Sequence, residues 1–299
     1  MKKWWMSLVC IFFLFGCSNE KSVSGKINIT VTTGQIADIV EHVGGDHVHV
    51  EALMGPGVDP HLYKASQGDI QKLSSADLIF YNGLHLEGKM GEIFEKMEKE
   101  KKVVAVAEAI PKEKLIQKDG TYDPHVWFDL DLWSYAVKVV RDELIEFDPT
   151  HKEDYEKNAK AYIAQLMELK QEAQKEISSI PKQQRVMITA HDAFHYFGRA
   201  YDMEVIGLQG LSTDAEYGLK DVQVLVNTIV ERNIKAVFVE SSVSKKAIQA
   251  VVEGAKQRGH DVKIGGELFS DALGEKGTEE GTFVGMYRHN VETIVKSLK

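Results

Sequence analysis

Between Tyr155 and Ile177 the apolar residues fall on one helical stripe long enough to bridge two domains. Tyr155, Ala159, Tyr162, Leu166, Leu169, Ala173 and Ile177 step by 4, 3, 4, 3, 4 and 4. Ile163 and Met167 widen the stripe at its middle, and most other positions are charged or amide-bearing, so the buried face is narrow. Asp148-Pro149 supplies an N-cap followed by proline at the first helical position, and Pro181 stops the far end. At about 1.5 Å per residue, roughly 30 residues reach about 45 Å. A solvated coiled-coil arm is one reading of such a segment. A rigid strut is the favoured one, because strand–helix units resume at once beyond it.

On either side of the strut, strand-length apolar runs alternate with amphipathic helical segments. The first half reads as strands at Ile27–Thr32, Val48–Met54, Asp77–Tyr81 and Val103–Ala107, with helices near Gln35–Val43, Gln67–Leu73, Lys89–Glu98 and Leu132–Phe147. The second half reads as strands at Val186–Thr189, Glu204–Gly207, Ala236–Glu240 and Val262–Gly265. Its helices fall near Ala193–Tyr201, Tyr217–Arg232, Lys245–Arg258 and Gly281–Leu298. Such alternation predicts an α/β fold of two lobes, each a four-stranded, mostly parallel sheet with flanking helices, joined by one long rigid helix. The expected division is an N-terminal lobe at 27–147, the linking helix at 148–181 and a C-terminal lobe at 182–299. The architecture is duplicated without a residue-level repeat.

The first residues read as an export signal. Lys2 and Lys3 precede an apolar run from Trp4 to Gly16, shorter than the roughly 20 residues a membrane span needs. Leu14-Phe15-Gly16-Cys17 resembles the lipobox of bacterial lipoproteins, which makes 1–16 a signal peptide, Cys17 the lipidated residue and 17–26 the anchor and a polar tether. Two acyl chains on one cysteine suffice for stable anchoring, since each buried CH₂ contributes about 0.8 kcal/mol. The only other cysteine is Cys10, so the mature body has neither disulfide nor thiolate ligand, and any metal must be held by nitrogen and oxygen. Net charge is −9, and −11 once residues 1–16, with two lysines and no acids, are removed. An acidic exported body does not suit nucleic acid.

Asp-Pro-His occurs twice, at Asp59-Pro60-His61 and Asp123-Pro124-His125, in a chain with six prolines. Proline fixes its own φ and steers the preceding residue away from helix, so each histidine sits on a stiffened backbone. His61 follows the second strand through Gly55-Pro56-Gly57, and His125 follows the fourth through a longer loop. His191 comes directly after 186–190, and Asp271 shortly after the last strand. Ligands of open α/β sheets bind beyond the carboxyl ends of the strands. Two lobes with those ends facing each other would gather all four side chains in one cleft. Three imidazoles and a carboxylate complete a shell for a divalent transition metal and leave no position for an activated water. Asp59 and Asp123 read mainly as turn-formers that bond their own backbone, with a supporting contact to a ligand as the second reading, above all at Asp123. Glu240, at a strand end, reads equally as such a supporting contact or as a residue packing one lobe on the other.

These motifs carry a resemblance. Gly57-Val58-Asp59-Pro60-His61, Asp123-Pro124-His125-Val126-Trp127, Thr189-Ala190-His191-Asp192-Ala193-Phe194 and Ser270-Asp271-Ala272 resemble the solute-binding lipoproteins of ABC-type importers for manganese and zinc. Gly207 to Thr213 and Val239 to Ser242 also look like those lipoproteins, and most like the manganese-binding ones of Gram-positive bacilli. The resemblance implies two α/β lobes on one long helix, with ligands at His61, His125, His191 and Asp271. It also implies an ABC permease and its ATPase subunit as partners, a lipid anchor on the outer face of the cytoplasmic membrane, and no catalysis. A monomer is expected.

Relatives dedicated to manganese often place glutamate at the third ligand position, where this chain has His191, and manganese is the weakest binder of the divalent series. Zinc relatives commonly carry a histidine-rich loop before the second ligand, and residues 111–124 contain no histidine. Mn(II) is the favoured cargo and Zn(II) the alternative. His47 and His49 read as one solvent-facing strand face, and His85 and His289 as structural. His195 stands one turn after His191 on a short helix, but Asp192 replaces the glutamate base that a zinc hydrolase would need. A surface adhesin would need an exposed apolar patch that the sequence does not single out.

Overall fold

The computed structural model describes residues 25–118 and 120–299. The expected signal peptide, Cys17 and most of the tether lie outside them. The first half runs Ile27–Val31 (β1), Gly34–Gly44 (α1), Val48–Ala52 (β2), Gln67–Ser75 (α2), Leu78–Tyr81 (β3), Gly91–Met97 (α3) and Lys102–Ala105 (β4). A short hairpin, Gln117–Lys118 (β5) and Thr121–Tyr122 (β6), then leads into Leu130–Phe147 (α4). Strands β1 to β4 form one parallel sheet in the order β2-β1-β3-β4. Central β1 is buried along nearly its whole length, whereas edge strand β2 alternates buried and exposed positions, as a half-covered strand should.

The long helix α5 spans Lys152–Ser178, 27 residues, or about 40 Å. Its buried residues are Tyr155, Ala159, Tyr162, Leu166, Leu169, Ala173 and Ile177, the stripe read from the sequence. Its start differs from expectation. Pro149–His151 form a 3-10 turn, and Asp148 caps no helical N–H. Its carboxylate instead takes the ring Nδ1 of His151 at 2.6 Å and the hydroxyl of Tyr155 at 2.9 Å. Side-chain donors outcompete a first turn in which Pro149 has no N–H to offer.

The second half runs Val186–His191 (β7), His195–Tyr201 (α6), Glu204–Gln209 (β8), Leu219–Glu231 (α7), Ala236–Glu240 (β9), Lys246–Gln257 (α8), Lys263–Leu268 (β10) and Phe283–Leu298 (α9). Its strands hydrogen-bond as two parallel pairs, β7 with β8 and β9 with β10, which meet through β7 and β9. The spatial order β8-β7-β9-β10 repeats that of the first sheet.

Each sheet has one private core and one shared one. Leu53, Leu73, Ile79, Met90 and Phe94 fill the space under α2 and α3, and Ile188, Ile229, Val237, Ile248 and Val251 the space under α7 and α8. The opposite faces join a single apolar cluster that runs from β1 and β3 through α1, α4 and α5 to α9. Asp38 on α1 ties this seam. It accepts the Tyr162 hydroxyl of α5 at 2.5 Å and the backbone N–H of Phe283, at the start of α9, at 3.0 Å. A carboxylate at a helix N-terminus is favourably placed against the helix dipole.

Candidate metal site

The two Asp-Pro-His turns fold alike. The Asp59 Oδ1 accepts the backbone N–H of His61 at 2.9 Å, and the Asp123 Oδ1 that of His125 at 2.9 Å. Both aspartates thus close Asx turns that fix the histidine backbone, as expected. His191 is the last residue of β7 rather than the first beyond it, and Asp271 lies three residues after β10.

The four side chains converge. One ligand atom from each of His61, His125, His191 and Asp271 lies within 4.8 Å of every other, and all four residues are at most 3% exposed. The Asp271 Oδ2 is 3.2 Å from His191 Nε2 and 3.9 Å from His61 Nε2, and its Oδ1 is 3.5 Å from His125 Nε2. The Nε2 atoms of His61 and His125 are 3.3 Å apart. His191 Nε2 and both Asp271 oxygens are buried and out of line for any hydrogen bond. Buried polar atoms are almost always satisfied, so a converging set of unsatisfied lone pairs suits a cation. These four residues could hold one divalent ion.

Carboxylates stand behind two of the three rings. The Asp123 Oδ1 lies 2.8 Å from His125 Nδ1. The Glu240 Oε2 lies 2.6 Å from His191 Nδ1, while its Oε1 accepts the His191 backbone N–H at 2.9 Å. The Asp123 hydrogen bond puts the His125 proton on Nδ1 and leaves its Nε2 lone pair facing the centre, and the Glu240 charge beside His191 Nδ1 favours the same tautomer there. Glu240 therefore touches His191 directly, which favours the supporting contact over mere packing.

The electrostatics are uneven. Burial pushes His61 down to about 3. Burial also opposes charge on His191, but Glu240 and Asp271 together outweigh it and hold the ring well above the usual histidine range. Burial raises Asp271, yet His191, and then His125 and His61, hold its carboxyl well below the ordinary carboxylate range.

Several histidines fall elsewhere. His47 belongs to a 3-10 turn, Gly45–His47, so it shares no strand face with His49; it stacks on His151 at 3.8 Å and bonds Asp154 at 3.0 Å. His195 opens α6 while His191 ends β7, so the two do not share a helix. The His195 ring stands behind His125, with Nδ1 3.3 Å from Asp123 Oδ2. His289 bonds the Glu267 carbonyl, and His85 sits in a loop with a left-handed backbone, φ 65°. Sequence reasoning missed the contacts across the cleft, among them Lys118 to Asp192, Trp127 Nε1 to the Ser270 carbonyl at 3.1 Å, and Thr213 to Asp59. The only signal was position, since Asp192, Trp127 and Thr213 lie inside the motifs already singled out.

The sequence profile of the zinc-uptake complex component A family (ZnuA, periplasmic) matches residues 29–297. The chain belongs to this family. Within it, the chain is 57% identical over 297 residues to the manganese-binding lipoprotein MntA of Bacillus subtilis (strain 168), covering 98% of this chain and 97% of that one. It is 31% identical over 302 residues to the metal ABC transporter substrate-binding lipoprotein SsaB of Streptococcus sanguinis, covering 97% and 96% of the two chains. The solved structure of the periplasmic zinc-binding protein TroA of Treponema pallidum superposes with a TM-score of 0.90 at 49% identity, over 92% of this chain and 99% of that one. Members of the ZnuA family are metal-binding components of uptake systems, and this chain is accordingly a metal-binding transport protein rather than an enzyme. Among the described residues, no helix is long and apolar enough to cross a membrane.

Proposed function

We propose that this chain captures Mn(II) outside the cell with His61, His125, His191 and Asp271 and delivers it to the permease of an ABC importer, tethered meanwhile by a lipid on Cys17. The observation that carries the reading is the buried convergence of four ligand atoms drawn from both halves of the chain. Nitrogen and oxygen donors replace the ion's water shell at the cleft. Both Asp271 oxygens face the histidines, so the carboxylate can contribute one donor or two, and five donors suit manganese better than four do. The 57% identity to a manganese-binding lipoprotein supports the same cargo.

Zinc is the second reading, and the donor set favours it: three imidazoles and one carboxylate complete a tetrahedral zinc shell. Manganese lies at the weak end of the divalent series, so purified protein is expected to bind zinc in vitro as well. On docking, the permease separates the lobes and breaks part of the shell; an unchanged metal off-rate with permease present would refute that step. Elemental analysis of protein from its native host, grown under manganese and under zinc limitation, tests the cargo. Near-stoichiometric manganese under zinc limitation is expected. Protein that carries only zinc in both cultures would transfer the assignment to zinc, and protein without metal would overturn the receptor reading.

A further inference from the structure

The three histidines are not held equally. The far ring nitrogens of His125 and His191 face the carboxylates of Asp123 and Glu240. The Nδ1 of His61 is buried and has no hydrogen-bond partner among the described residues. Its ring is therefore placed by its backbone, and that backbone is fixed by the bond from its N–H to Asp59 Oδ1 at 2.9 Å. The other Asp59 oxygen does not face its own half of the molecule. It accepts the hydroxyl of Thr213 at 2.5 Å, from the loop after β8, 154 residues away in sequence and across the cleft. Thr213 is 9% exposed, so water competes little for this bond.

The rest of the cleft differs. Near His125 the halves are joined by Tyr196 Oη to the Asp123 carbonyl at 3.0 Å, by Trp127 Nε1 to Ser270, and by Arg199 to Asp129 at 3.0 Å. Apart from the ligands themselves, the loop that carries Thr213 makes one other cross-cleft polar pair among the described residues, Lys89 to Asp214 at 2.7 Å, and both its side chains are more than a third exposed. Exposed pairs of that kind contribute little.

We propose that Thr213 is a positioning residue for His61, acting through Asp59 from the opposite lobe, so that His61 is held in place for the ion only while the cleft is closed. His61 is then the first ligand to leave when the lobes part, and Thr213 sets how long a captured ion stays. This rests on the metal-receptor reading.

The test is the rate at which Zn(II), and separately Mn(II), passes from the mature protein to an excess of chelator in stopped flow. Thr213→Val keeps the shape and removes the hydroxyl, Thr213→Ser keeps the hydroxyl, and Thr213→Ala replaces valine should that variant misfold. Loss of a contact directly behind a metal ligand costs roughly ten- to a hundredfold in affinity, and Thr213 acts one contact further out, through Asp59, so the lower end applies. Thr213→Val should release the ion about tenfold faster, with the melting temperature of the metal-free protein unchanged, and Thr213→Ser should restore slow release. Lys89→Met should stay within about twofold of the parent. Wild-type release rates in both the valine and alanine variants would overturn the inference while leaving the receptor reading intact. So would a serine variant as fast as valine, or faster release matched by a lowered metal-free melting temperature. A parent protein that holds neither ion would overturn both.

Discussion

Glu240→Gln tests whether the carboxylate behind His191 tunes the ion and does more than fill space. The substitution keeps the volume and leaves an amide oxygen to accept the His191 N–H, now 2.9 Å from Glu240 Oε1. What it removes is a negative charge 2.6 Å from His191 Nδ1. Across the imidazole, that charge stands about 6.5 Å from an ion bound at Nε2, given a metal–nitrogen bond of about 2.1 Å. Its attraction for a divalent ion is then about 1 kcal/mol with water-like screening and about 5 kcal/mol at an effective dielectric of about 20. Part of this is returned, because Glu240 also stabilises the proton that the ion must displace from His191. The expected net loss is about 1.4–2.8 kcal/mol, or ten- to a hundredfold in affinity. The loss should be larger at pH 8.5 than at pH 6.5, where relief from the proton offsets more of it. Competition against a chelator of known affinity, with Zn(II) and Mn(II) in turn, measures both. A variant within twofold of the parent at pH 8.5, with an unchanged melting temperature, would refute the argument.

Three further outcomes follow from the same geometry. His191 is held above the usual histidine range, so the proton-bound ring dominates below its raised pKa and the ion gains as pH rises past neutrality; affinity should change up to about tenfold per pH unit between 6.5 and 8.5, and a flat titration would count against His191 as a ligand. His61→Ala or Asp271→Ala should abolish the thermal stabilisation by metal, about 2.7 kcal/mol at a hundredfold excess over Kd in the parent, while His47→Ala retains it in differential scanning calorimetry. Gly207→Ala would put a Cβ within 2.6 Å of the Asp192 N and 2.7 Å of the His191 carbonyl carbon; it should cost about 1–3 kcal/mol in denaturant unfolding and weaken metal binding, and wild-type values in both would show that β7 yields there at no cost.

What was legible in the sequence was periodic or stiffened. The α5 stripe matched residue by residue, because seven apolar positions on one face admit a single burial pattern. The Asp-Pro-His turns were legible because proline and an Asx hydrogen bond determine local geometry without help from distant residues. His47 was misplaced because alternation with His49 ignores the turn at Gly45, where φ is 54° and the strand has not yet begun. His191 and His195 looked like one helical pair because the spacing fits; the strand end between them is decided by pairing with β8. Cross-cleft contacts were invisible. Lys118 and Asp192 are 74 residues apart, and Thr213 and Asp59 154, and no local pattern marks a bond that exists only once both lobes are built.

The apolar seam through α1, α4, α5 and α9 bears on how the chain folds as well as on how it moves. Neither half owns the surface that α5 covers, so a fragment ending before Lys152 or beginning after Ser178 would leave that surface wet. Despite two sets of strands in the same spatial order, the molecule is expected to behave as a single cooperative unit. It should unfold in one calorimetric transition, and fragments of it should aggregate rather than fold.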